Sequence, residues 1–351
     1  MSLIDKLKKT STVAGTEVLS ESKLFNKKDM APTDVPILNL CLSGSIDGGL
    51  SPGLTVIAGP SKHFKSNLAL LMASAYMKKY PEAVCLLYDT EFGITPEYLK
   101  SMNVDPERCL HTPVEHAEQL KFDLTRQLEN IERGDKVVVV IDSVGNLASK
   151  KELEDALNEK SVADMSRAKA LKSLFRIVTP YLTTRDIPMI AINHTYETIS
   201  MFSTTQMSGG TGIYYSANQI FFMGRQQVKE GTQVAGYNFM IGVEKSRFVR
   251  EKTRLPLNIS WEGGINKWSG LMEVGLETKW LNKPSNGWYE GINPETGEVI
   301  VEKRRQKDLD GTFWVPLFKA GFSQALEKRY SVGAVEAVVD KPIEEAENES
   351  E

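Results

Sequence analysis

Five short runs, LTVIAG (54–59), AVCLLYD (83–89), KVVVVID (136–142), IPMIAINH (187–194) and QIFFMG (219–224), are apolar along nearly their whole length. Helix-length amphipathic segments recur between such runs. A strand with one wet face alternates polar and apolar residues, whereas a run apolar at consecutive positions needs cover on both faces. The pattern predicts a central, mostly parallel sheet packed between helices, with NFMIGVEK (238–245) and LPLNISW (255–261) added near one edge. This α/β core is expected to span residues 31–270. Residues 1–30 read as a short amphipathic helix and linker, and 271–335, rich in Gly, Pro, Asn and Trp, as a small α/β lobe. Residues 336–351 are dense in acid and poor in bulky apolar side chains, a composition expected to stay disordered.

With 351 residues, 41% of them hydrophobic, the chain has material for one large core. No apolar run approaches the roughly 18 residues of a membrane span, and MSLIDKLKKT lacks the apolar stretch of a secretory signal, so a cytoplasmic protein is expected. Cys41, Cys85 and Cys109 are odd in number and scattered, and with the four histidines they make no zinc-ligand spacing, which argues for buried reduced thiols. A net charge of −4 excludes a surface coated in positive charge for nucleic acid but permits a local basic groove.

The loop GPSKHFKS after the first run resembles G-x-x-x-x-G-K-[ST], with Phe64 where the second glycine belongs. Gly59, Pro60, Ser61, Lys62, His63, Phe64, Lys65, Ser66 and Asn67 would form a phosphate cradle leading into a helix. Lys65 offers charge to the β- and γ-phosphates and Ser66 a hydroxyl to Mg²⁺. A phenylalanine forced into a glycine conformation would cost on the order of 1–3 kcal/mol, unless packing offsets it or the loop differs. Asp142 ends a buried run, where it either supports a metal-bound water or caps a turn. Glu91 could activate a water attacking the γ-phosphate, or be a surface acid. Tyr98 could stack on adenine or belong to the core, and His194, after Asn193, could sense the γ-phosphate or be structural. The polar stretch YETISMFSTTQMSGGTG (196–212) reads as a functional loop presenting Met201 and Phe202 to splayed bases. EKSRFVREKTR (244–254) gathers five basic residues, including Lys245 and Arg247, which suit phosphate contact or guard a strand edge.

Taken in order, GPSKHFKS, YDTEFGITPEYL, VVVVIDSVGNLASKKE, IAINHTYE and GGTGIYYSAN resemble the RecA-family recombinases, and within them the T-even-type phage branch, over residues 20–335. That branch carries a bulky residue in place of the loop's second glycine. The resemblance implies a RecA-like P-loop core that uses ATP and Mg²⁺, with Lys65, Ser66 and Asp142 at the phosphates and metal. It implies Glu91 as the water-activating carboxylate, Tyr98 and, more weakly, Trp268 near adenine, and His194 as γ-phosphate sensor, where bacterial RecA has glutamine. DNA would meet two loops: one from about 146 to 164 with Lys150 and Lys151, followed by Arg167, and one at 196–212 with Met201, Phe202, Gly209 and Gly210. Lys245 and Arg247 match residues that reach the neighbouring protomer's γ-phosphate. A helical filament on single-stranded DNA, pairing with homologous duplex, is the implied assembly, with a single-strand-binding protein and a mediator as further partners and no membrane. The rivals are a ring helicase, which normally carries an additional domain, and a non-enzymatic ATP-binding regulator.

Overall fold

The structure, a computed structural model, describes residues 2–13, 15–22, 29–158, 165–198, 205–230, 233–260 and 264–333. Eleven strands of the core region are β1 (Gly53–Ala58), β2 (Val84–Asp89), β3 (Cys109–Pro113), β4 (Val137–Asp142), β5 (Pro188–Asn193), β6 (Thr195–Glu197), β7 (Thr205–Met207), β8 (Gln219–Glu230), β9 (Gln233–Lys245), β10 (Arg254–Ser260) and β11 (Gly264–Ile265). Nine form one sheet in the order β11-β10-β9-β8-β1-β5-β4-β2-β3. The six from β8 to β3 run parallel, and β9, β10 and β11 continue antiparallel at the other edge. β6 and β7 form a separate small hairpin.

The doubly apolar runs are explained by the layers. Val138 and Val140 of β4 join one apolar cluster, and Val137, Val139 and Ile141 join the cluster on the opposite face. Helices α1 (Leu3–Thr10), α2 (Pro36–Ser43), α3 (Lys65–Lys79), α4 (Pro96–Ser101), α5 (Ala117–Glu129), α6 (Lys150–Leu157), α7 (Ser166–Thr184) and α8 (Thr211–Ser216) precede the C-terminal segment. α2 and α3 cover the first face, and α5, α7 and α8 the second. Each fully buried Val, Leu or Phe contributes about 1.5–3 kcal/mol, so the two clusters together hold the sheet between its helices.

α9 (Leu271–Glu277), the antiparallel sheet of β12 (Leu281–Ser285), β13 (Trp288–Ile292) and β14 (Val299–Arg305), and helices α10 (Gly311–Lys319) and α11 (Phe322–Tyr330) complete the described chain. Trp314 and Phe322 of this segment join the same apolar cluster as α2 and α3, so the C-terminal lobe packs directly onto the first face. Among the described residues no helix is long and apolar enough to cross a membrane.

Several elements differ from expectation. β3 was not anticipated: CLHTP is an edge strand with partly exposed side chains, so it lacks the apolar signature of the covered strands. β8 runs six residues past the expected 224, because the polar GRQQVKE continues as a two-stranded ribbon with β9 beyond the core. The first expected DNA loop contains helix α6, started by a capping box in which Ser149 accepts from Glu152 N and Glu152 reaches back. The second loop contains the hairpin strands β6 and β7 and ends in a turn leading into α8, and residues 199–204 between the two strands lie outside the description. Cys41 and Cys85 are buried, whereas Cys109 is only partly so.

Candidate active site

The carboxyl ends of parallel strands β1, β2, β4 and β5 share one side of the sheet, where α/β proteins form ligand crevices. Past β1 the chain turns through the expected cradle, and both Lys62 and Phe64 hold positive φ, 60° and 61°. Phe64 is thus in the left-handed conformation that glycine would supply, with ψ 19°, immediately before α3. That geometry costs a residue with a Cβ about 1–2 kcal/mol. The Phe64 ring packs on Phe239, centroids 5.2 Å apart, and Phe239 lies 5.8 Å from Tyr237. Such a pair contributes about 0.5–1.5 kcal/mol beyond buried area, enough with that burial to offset the strain. Arg225 clamps the loop from the same strands, donating to Lys62 O at 3.0 Å while its guanidinium lies over Tyr237.

Lys65 is 6% exposed and donates through Nζ to Pro60 O at 2.7 Å. Burial lowers its pKa, opposed by the nearby Glu91 and Asp142 charges. Asp142, at the end of β4, is 4% exposed. Burial pushes its carboxyl up to about 6; the Ser66 hydroxyl that bonds to it pulls the other way, while Glu91 and Asp89 add to the rise. Its Oδ1 meets no protein donor. A buried acceptor left so costs about 1–3 kcal/mol, and a hydroxyl beside it makes a natural seat for a hydrated cation. Among the described residues no group of three or more His, Cys, Asp or Glu is placed to hold a metal ion by itself. Mg²⁺ needs no such cluster, since one or two carboxylates with water and phosphate suffice, so Ser66 and Asp142 fit it.

Glu91 faces this pair. Its Oε1 accepts from Ser143 Oγ at 2.9 Å and Asn146 Nδ2 at 3.0 Å, and lies 3.1 Å from His194 Nε2. His194 packs so close to Gly145 that a Cβ there would lie 2.4 Å from its ring, which is why this position has no side chain. Behind His194, Asn193 Oδ1 accepts the His194 N–H at 2.9 Å and the Ser208 hydroxyl at 2.7 Å, while its Nδ2 donates to Ser208 O at 2.9 Å. Asn193 is fully buried, so His194 and the base of the β6/β7 hairpin are joined through a buried amide.

These residues bound a cavity of about 200 Å³ lined by Ser61, Lys62, His63, Phe64, Lys65, Ser66, Asn67, Glu91, Tyr98, Asp142 and His194 among others. Tyr98 is hydrogen-bonded with Asn67, and burial pushes its phenol up to about 12. Gly59 and Pro60 line a second, larger groove on the far side of the loop.

Other expected residues stand apart. Trp268 packs on Phe318 of the C-terminal lobe, centroids 6.5 Å apart, and does not line the cavity of its own chain. Lys245 donates to Tyr214 O at 2.7 Å and Arg247 is exposed. Lys150 and Lys151 are exposed on α6, paired with Glu154 and Asp155 one turn on. Arg167 donates to Gly145 O at 2.5 Å and so braces the turn that carries Asn146. Gly209 and Gly210 hold φ of 84° and 80° at the start of α8, a local reason for two glycines. Met201 and Phe202 lie outside the described residues. Asn193 was expected beside His194 as a polar pair at the strand tip, whereas Ser143 and Asp89 were not singled out as site residues; a hydroxyl or a second acid at a strand end carries little signal until the strands are paired.

Comparison with known proteins agrees with this geometry. The family model described as RecA N-terminal domain matches residues 18–266. A model described as Bacteriophage T4, Recombination and repair protein, C-terminal domain, matches 268–326. The chain is 54% identical to the Recombination and repair protein of Enterobacteria phage T4, over 99% of this chain and 90% of that one. It is 25% identical to Protein RecA of Symbiobacterium thermophilum, over 92% and 87% of the two chains, and 26% identical to that of Streptomyces rimosus, over 77% and 70%. A family model spanning most of the core, and a relative aligned from end to end at this identity, place the chain in the RecA family.

Proposed function

We propose that the chain is an ATP-dependent recombinase that assembles as a helical filament on single-stranded DNA, pairs it with homologous duplex and exchanges strands, in phage recombination, repair and recombination-dependent replication. The observation that carries the reading is the continuous contact from Glu91 through His194 and Asn193 to Ser208 at the base of the hairpin. It joins the group suited to activate water to the element whose tip falls in the expected DNA loop, so each can bias the other.

In this reading the cradle N–H groups and Lys65 receive the phosphates, and Ser66 and Asp142 hold Mg²⁺, which when bound neutralises charge on the β- and γ-phosphates. Glu91, positioned by Ser143 and Asn146, accepts the proton of the attacking water. The cavity is smaller than the about 300–1,000 Å³ that encloses a whole ligand, which leaves nucleoside contacts to Tyr98 and to a neighbouring protomer bringing Lys245 and Arg247. Helix α1 supports self-assembly: it buries no residue and exposes Leu3, Ile4 and Leu7, an apolar stripe suited to the next copy.

The test is purified protein with ATP, Mg²⁺, a single strand and its homologous duplex. Joint molecules and ATP turnover stimulated by the single strand are expected, and Lys65→Ala should reduce turnover by at least a hundredfold; absence of joint molecules from the wild-type protein would overturn the reading.

A further inference from the structure

Asp89 is a buried carboxylate, 1% exposed, to which the mechanism above assigns no work. Both its oxygens are engaged. Oδ1 accepts the backbone N–H of Glu91 at 3.0 Å and of Phe92 at 2.7 Å. Oδ2 faces His111 Nε2 at 3.2 Å, and opposite a carboxylate oxygen the ring nitrogen is the donor. His111 lies on edge strand β3, where Leu87 is its register partner and Asp89 pairs with Pro113, so histidine and aspartate are diagonal neighbours on one face of the parallel pair.

The hydrogen bonds from Glu91 and Phe92 matter because of what the chain does there. Phe92 holds a positive φ of 54°, and its ring is 64% exposed, so packing does not sustain the left-handed turn as it does at Phe64. Thr90 ties the start of this turn to Asp142 O and Ser143, and Asp89 holds its far side, by the Asx-type bond that short acids make to the backbone two and three residues on. The turn sets where the Glu91 side chain begins, while Ser143, Asn146 and His194 fix where it ends. An aspartate free to rotate about its side-chain torsions would present Oδ1 to the turn only part of the time; the bond from His111 to the other oxygen removes that freedom.

We propose that His111 is a positioning residue for ATP hydrolysis, acting through Asp89 to hold the backbone from which Glu91 reaches the attacking water. The inference rests on the ATPase reading above. Displacement of a reacting group by about an ångström can cost on the order of a hundredfold in rate, so a bond remote from the phosphates can control turnover without touching them. Because β3 is the open edge of the sheet and His111 is 45% exposed, the control point is also reachable from outside the site.

The experiment compares His111→Leu and His111→Gln with wild-type protein in ATP turnover stimulated by single-stranded DNA, with ATP-analogue and DNA affinities measured in parallel. His111→Leu should lower kcat at least tenfold with KM and both affinities within about twofold, and His111→Gln, whose amide can donate from a similar position, should recover at least half of the wild-type kcat. Should the leucine variant fail to fold, His111→Thr, acceptable on an edge strand, takes its place under the same expectations. An unchanged kcat, a parallel rise in KM, or a loss that glutamine does not restore would each overturn the proposal. If wild-type protein shows no DNA-stimulated turnover, the ATPase reading itself falls, which is a distinguishable result.

Discussion

Phe64 shows how one residue can replace a glycine while keeping its backbone. The left-handed turn survives because the ring is anchored on Phe239. Phe64→Gly should therefore lower the melting temperature, since the lost ring contact outweighs the relieved strain by about 1–2 kcal/mol, while ATP affinity changes little; a variant more stable than wild type would show that strain dominates. Asp142 carries the opposite kind of tension. Its ordinary value of 3.8 rises to about 6 on folding, so at pH above 6 the folded state carries a buried charge that the unfolded chain keeps in water. Below about 4 both states are protonated and the difference vanishes, so this group's penalty grows as pH rises from about 4 through 6. Asp142→Asn should raise the thermal stability of nucleotide-free protein at pH 7.5 by an amount on the order of 2–3 kcal/mol, and by only about 1 kcal/mol near pH 4.5, as followed by melting at both values. The gathering of Lys65, Ser66, Asp142, Glu91, Tyr98 and His194 around one cavity was legible in the sequence because each follows a strand or loop with a recognisable pattern. The Asp89 and His111 pair was not, because it exists only once β2 and β3 are in register.

At the scale of elements, the covered strands declared themselves and the others did not. β1, β2, β4 and β5 are apolar at consecutive positions since both faces are packed, whereas β3 and the outer half of β8 lack that cover and merge with loop composition. Helix α6 is instructive in a different way: its start is written in Ser149 and Glu152, a capping box visible in SKKE, yet the segment was expected to be a DNA loop. Lys150 and Lys151, tied to acids one turn on, gain only a few tenths of a kcal/mol from those pairs and can exchange them for phosphate. The hairpin of β6 and β7 is coupled to β5 through Asn193. His194→Ala should leave nucleotide binding within a fewfold of wild type but abolish the dependence of DNA affinity on ATP, measured by titrating a labelled single strand with and without nucleotide; an intact dependence would remove the sensor role.

For the whole molecule, assembly is where the chain looks unfinished. α1 presents Leu3, Ile4 and Leu7 to solvent, and Lys245 and Arg247 sit away from their own cavity. Removing residues 1–20 should leave a folded protein that no longer forms filaments on single-stranded DNA, scored by circular dichroism and electron microscopy; filaments from that variant would refute docking through α1. The sequence by itself determined the α/β layering and the phosphate loop, because burial on two faces and a lysine-serine turn after a strand are local patterns that need no partner to be recognised. Only the tertiary structure decided how Phe64 is tolerated, which donors hold Glu91, and that His194 reaches the hairpin through Asn193. Those contacts join residues far apart in the chain, and their geometry is set by strand order and register, which no local pattern encodes.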